Sequence, residues 1–156
     1  MSTVNLADLI PLMQEIFKLQ KTLTQTAKGY SMAPLLHSGR DEVVLAGCDD
    51  PEKLKPRDIP LYLREDGSPV LHRIVRVNKA SFDMCGDAQT EIERDVPKSK
   101  VVAVAVGFKR RGKMISVNSK RYKVYSFLWC LVRPIRPQIF WLNSKLRGKR
   151  HETPEK

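Results

Sequence analysis

Leu6, Leu9, Ile10, Met13 and Phe17 recur at helical spacing, with Asp8, Glu15, Lys18 and Lys21 on the opposite side of the projection. That period predicts one amphipathic helix over most of residues 5–20, with Pro11 kinking it or lying in its first turn. The apolar face either caps the domain's own core or docks a partner or lipid. After residue 21 the pattern changes to short alternating or β-branched runs at 22–26, 42–46, 59–64, 70–77, 80–84 and 101–108. Asp66-Gly67 is the signal of a tight hairpin between the third and fourth runs, and Arg110-Arg111-Gly112-Lys113 reads as another, leading into 114–117. On this pattern His72 stands on a strand, and the stretch from Cys85 through Glu91, Glu93 and Asp95 is an acidic loop. Short strands, tight turns and no βαβ alternation predict a mainly β fold, an antiparallel folded sheet or barrel. From Tyr122 the texture turns aromatic and basic, broken by Pro134 and Pro137 into two helical pieces. The expected organisation is therefore a β domain over residues 1–118 and a basic, aromatic C-terminal appendage over residues 119–156.

Charge changes this picture only at one end. The 156-residue chain carries a formal +11, but thirteen Lys or Arg and no Asp or Glu lie between Phe108 and Arg150, leaving −2 for the rest. Such an excess either solvates a helix face or attracts an anionic partner. An anionic membrane surface, met through residues 122–150, is the expected partner of this kind, with nucleic acid the less favoured one. The longest apolar run, Val124 to Val132, stops at Arg133, well short of the roughly 20 residues that span a bilayer. No secretory leader is visible, and Cys48, Cys85 and Cys130 have no CxxC spacing. The expectation is a cytoplasmic protein, peripheral at a membrane, without a transmembrane helix.

Candidate chemistry centres on Gly29-Tyr30-Ser31-Met32-Ala33-Pro34. A serine hydroxyl becomes a nucleophile only with a base beside it and a group to orient that base. His72 supplies an imidazole, and Asp87 and Glu93 supply carboxylates. Each has an ordinary explanation alone, as a turn serine, a strand histidine and solvated acids. Together and in this order they point to a serine hydrolase. His37 is a rival base by proximity in sequence. A metal site of His37, His72 and Cys85 lacks paired ligand spacing, so neither metal nor cofactor is expected.

Ser31-Met32-Ala33-Pro34, the Gly39-Arg40-Asp41 turn before Glu42-Val43-Val44-Leu45, Arg57-Asp58-Ile59, His72-Arg73-Ile74 and Gly86-Asp87 resemble, in order and spacing, the successive boxes of the type I signal peptidase family. The resemblance covers about residues 25–107. That family shares its β-fold with the self-cleaving SOS-type repressors. Histidine before Arg73, where the bacterial-type enzymes carry lysine, is similar to the endoplasmic-reticulum-type branch with its Ser/His pair. The resemblance implies a serine endopeptidase that cleaves a leader or signal segment of a peptide or preprotein, with small residues preferred before the cut. By the same resemblance Ser31 is the nucleophile, its own N–H an oxyanion donor, His72 the base, Glu93 the orienting acid and Asp87 the loop-organising or supporting acid. Tyr30, Met32 and Pro34 would contact substrate. The chain departs from that pattern at Arg40, at Ala88 and Gln89, and at Glu93, where the branch carries aspartate. An amphipathic helix also stands where the family has a membrane span. An imidazole base predicts activity rising through roughly pH 6–7. The alternatives are a repressor-like self-cleaving protein and a non-catalytic module of the same fold that grips nucleic acid or membrane through its basic tail.

Overall fold

The computed structural model describes residues 10–19, 21–139 and 141. The nine strands among the described residues are β1 (Leu23–Thr26), β2 (Glu42–Gly47), β3 (Pro60–Leu63), β4 (Pro69–Leu71), β5 (Arg73–Val77), β6 (Ser81–Cys85), β7 (Glu93–Pro97), β8 (Val101–Arg110) and β9 (Lys113–Ser116). The larger sheet runs β1-β2-β8-β3-β4, with β9 also on β8, and the smaller runs β5-β6-β7. Every pairing is antiparallel, and the register slips within the β2–β8, β3–β8, β5–β6 and β6–β7 pairs. Such irregularities bend a strand and increase its twist. The larger sheet accordingly curls into a half-barrel, and the fold is mainly β with helices at its two ends.

Helix α1 (Ile10–Lys18) buries Ile10, Met13 and Phe17. These enter one core with Leu35, Leu36, Val43, Leu45 and Phe108, so this helix caps the sheet. Pro11 falls in its first turn, where a missing N–H costs little; Leu6 and Leu9 lie outside the described residues. Gly47 is the seat of the helix on β2, since a Cβ there would stand 2.6 Å from Cβ of Phe17.

Two expectations about the strands need correction. The run 70–77 is two strands, not one: β4 pairs with β3 in the larger sheet, β5 pairs with β6 in the smaller, and His72 is the unpaired residue at the corner. Beyond the corner the Ile74 N–H donates to the Asp58 carbonyl and its carbonyl accepts from Arg57 N–H, both at 2.8 Å. A run of Val, Leu and Ile reads the same whether or not the chain changes sheets within it. Residues 93–97 are likewise an edge strand on β6 rather than loop. Glu-Arg-Asp-Val-Pro buries only Val96, and an edge strand dressed with charge and proline carries no alternating apolar signal.

Helix α2 (Lys120–Leu131) is capped by Ser119, whose hydroxyl accepts the Tyr122 N–H, and packs Tyr122 against Phe108 with ring centroids 5.3 Å apart. It ends before Pro134, which lies in the 3-10 turn Arg133–Ile135. Pro137 lies within the helical stretch 136–139 that follows and does not break it.

Candidate functional site

A cleft of about 270 Å³ opens between residues 25–27 at the end of β1 and residues 69–71 of β4, and both Ser31 and His72 line it. Its apolar wall comes from Leu36, Val43, Leu45, Leu61 and Met32. The serine turn is held from below by Met32, Leu35 and Leu36, which are at most 5% exposed. Gly29 adopts φ +75°, a conformation glycine enters without a Cβ clash, and Ala33 N–H closes the turn onto the Tyr30 carbonyl at 3.1 Å. From behind, Ala88 N–H donates to the Ser31 carbonyl at 2.8 Å. A Cβ on Gly86 would stand 2.6 Å from that same carbonyl oxygen, so only glycine lets this loop approach the serine so closely. Among the described residues no backbone carbonyl accepts the Ser31 N–H.

His72 is 3% exposed. The Tyr62 hydroxyl donates to Glu93 Oε2 at 2.7 Å and lies 3.2 Å from His72 Nδ1. Because the one phenolic proton points at Glu93, the Tyr62 oxygen accepts from the ring. The imidazole proton is thereby on Nδ1, and Nε2 is left with its lone pair. Glu93 Oε2 is itself 3.9 Å from Nδ1, too far for a direct hydrogen bond. Arg64 donates to Glu93 through Nε at 3.1 Å and Nη2 at 2.7 Å, and these bonds, joined by that from Tyr62, hold the carboxyl below its ordinary range against the opposing effect of burial. Burial, joined by Glu93, pushes the Tyr62 phenol up and keeps it protonated. Desolvation pushes the His72 imidazole down to about 4, outweighing the attraction of Glu93, so the ring is neutral at ordinary pH.

Asp87 lies elsewhere. It accepts from Arg73 Nε at 2.8 Å and Nη2 at 2.7 Å, and both side chains are 1% exposed. The remaining guanidinium nitrogen donates to the Arg57 carbonyl, the Tyr122 hydroxyl and Ser126 Oγ. Asp87 thus ties the Gly86 loop, which backs Ser31, to β5 and α2. Of the residues beside the serine, Met32 faces the cleft, while Tyr30, 78% exposed, and Pro34 are not among its walls. His37 is outside it too, receiving Arg40 Nη2 at 2.8 Å and donating its N–H to the buried Asp41.

No family model, no curated protein and no solved structure matches the chain. The chemistry therefore rests on the geometry. The Ser31 hydroxyl and the neutral His72 imidazole share one cleft with an apolar wall, and Nδ1 of the imidazole is tied through Tyr62 to a carboxylate. Such a set can move a proton from a hydroxyl to Nε2 and hold the resulting imidazolium. Tyr62 and Arg64 are the members that motif reading passes over. The signal for Tyr62 was present in the Asp66-Gly67 hairpin: its register sets Tyr62 opposite Val70, and so diagonal to residue 72 on the same face. Among the described residues no helix is long and apolar enough to cross a membrane.

Proposed function

We propose that this protein is a serine endopeptidase of the signal-peptidase type that cuts a leader or signal segment bound in extended form. The observation that carries the reading is the shared cleft of Ser31 and His72, with Nδ1 of His72 held by the Tyr62–Glu93 relay. Nε2 takes the proton of Ser31 Oγ as the hydroxyl attacks the scissile carbonyl, and Glu93 steadies the imidazolium through Tyr62. The Ser31 N–H, which no backbone carbonyl among the described residues accepts, donates to the oxyanion. The returning proton goes from His72 to the leaving amine, and water then releases the acyl group by the same path. The substrate backbone lies along the strand ends that frame the cleft, at β1 and β4, as an added strand. The apolar walls and the cleft's volume of about 270 Å³ suit small side chains before the cut.

Purified protein incubated with a library of extended peptides, in parallel with Ser31→Ala, tests this. We expect turnover by the wild type and none by the variant, with a serine-directed covalent probe labelling Ser31 alone. Equal turnover by the two, or no cleavage and no labelling by the wild type, leaves a non-catalytic member of the same fold.

A further inference from the structure

Helix α2 is apolar on two opposite faces. Tyr122 and Ser126 are buried against the sheet, and Tyr125 stacks on Trp129 on the same inner side, with ring centroids 6.2 Å apart. At the complementary positions of the 3.6-residue period stand Val124, Phe127, Leu128 and Leu131, which are 58%, 52%, 51% and 63% exposed. Ile135, 51% exposed, follows in the 3-10 turn beyond the helix. A helix resting on a domain normally turns a polar face to water. Here that face is aliphatic and aromatic.

Its borders are basic. Lys120, Arg121 and Lys123 are exposed around the first turn, and the Arg57 guanidinium stands 5.8 Å from the centre of the Phe127 ring. No Asp or Glu occurs anywhere from Phe108 to Arg150. This combination separates the candidate occupants. A second copy on this face would bring two basic rims together with no acid from this segment between them, an arrangement that like charges oppose. A nucleic acid satisfies the cations but offers phosphates and base edges to Val124, Leu128 and Leu131, which have no use for them. Anionic lipid answers both features at once, with headgroups for the cations and acyl chains for the ridge.

We infer that the outer face of α2, continued by Ile135, is a docking surface for an anionic lipid bilayer, on which the protein lies without crossing. The face is fastened to the cleft. Arg136, 2% exposed, donates through Nη2 to the Trp129 carbonyl at 2.9 Å and reaches the carbonyls of Gly86 and Gln89 through Nη1 at 3.4 Å. Gln89 in turn lines the cleft. A docked helix therefore fixes how the cleft stands relative to the bilayer, whatever reaction the cleft performs.

Co-sedimentation of the full chain with vesicles provides the test. The wild type is expected to pellet with phosphatidylglycerol–phosphatidylcholine vesicles, at least about tenfold more tightly than with phosphatidylcholine alone, and to be released by high salt. The double variant Leu128→Ser, Leu131→Ser retains every charge and alters only exposed side chains, and it should lose about tenfold in partitioning with an unchanged circular dichroism spectrum. Arg121→Glu with Lys123→Glu should lose binding at low salt. The inference is overturned if the wild type ignores anionic vesicles, or if the double leucine variant binds as tightly as wild type, which would assign the attraction to diffuse charge. It is also overturned if the wild type sediments as a dimer that the leucine variant dissolves, which would assign the face to a second copy. None of these readouts depends on peptidase activity.

Discussion

Asp87 and Glu93 belong to one short segment of chain, yet their surroundings differ in kind. Asp87 is 1% exposed with both oxygens on Arg73 of β5, whose other bonds reach α2 and the chain before β3. Glu93, with a side chain 31% exposed, shares its oxygens between Arg64 at the surface and Tyr62 beside the imidazole. The first acid holds together the parts that back the serine. The second addresses the ring that lines the cleft. Burial separates the roles: a carboxylate without water must be fully paired and becomes structural, whereas a half-open one retains a partner that can respond when charge develops nearby.

The sharpest way to break this comparison is to remove one carboxylate charge at a time. Asp87→Asn leaves the Arg73 guanidinium buried without its counter-charge, and should cost about 3–5 kcal/mol of stability. In a thermal melt that is a fall in Tm on the order of 10 °C. Any peptidase turnover that survives should do so in proportion to the folded fraction. A melt unchanged from wild type would remove the distinction between the two acids.

The complementary change, Glu93→Gln, should leave stability within about 1 kcal/mol, because Arg64 is exposed and its ion pair is screened. Turnover should fall about 10- to 100-fold, the equivalent of one charge-assisted hydrogen bond. Tyr62→Phe breaks the same relay at its middle and should match that loss in kcat, with the two changes together costing little more than either alone. Additive losses in the double variant would mean that Glu93 reaches His72 by another route.

The smallest expected effect concerns pH. Burial holds His72 down at about 4, so the base stays neutral and turnover should persist from neutrality down to near pH 5, falling as pH drops through about 4. Stability moves in the same direction. Between about 4 and the unfolded value near 6.5 the unfolded chain binds a proton at His72 that the folded chain does not, so stability declines as pH falls through that window. Glu93→Gln removes an attraction for the imidazolium and should shift the acid limb of turnover lower still. Initial rates and melts from pH 4 to 8 measure both. An acid limb centred between 6 and 7 would describe a hydrated imidazole, the state expected from the residue type alone.

Much of the molecule was legible because it is locally encoded. The three- and four-residue recurrence of Ile10, Met13 and Phe17 gave the capping helix, and Asp66-Gly67 gave the hairpin of β3 and β4. The spacing of the serine, histidine and acidic boxes marked Ser31 and His72 as candidates, and the fold brings those two to one cleft. The corner at His72 was not legible, since Val70, Leu71, Ile74 and Val75 carry the same β-preference on both sides of it. Nor was the strand at Glu93–Pro97, whose pairing with β6 rests on backbone bonds that its charged side chains do not announce.

By itself the sequence determined most of the helical and extended segments, where tight turns fall and which residue types are available for chemistry, because these follow from periods of a few residues. Only the tertiary structure decided that Asp87 is consumed by Arg73, that Tyr62 stands between His72 and Glu93, and that α2 turns Trp129 inward and Phe127 outward. Each of those outcomes depends on partners distant in the chain. Burial, which sets both the pairing of a carboxylate and the basicity of an imidazole, exists only once those partners have met.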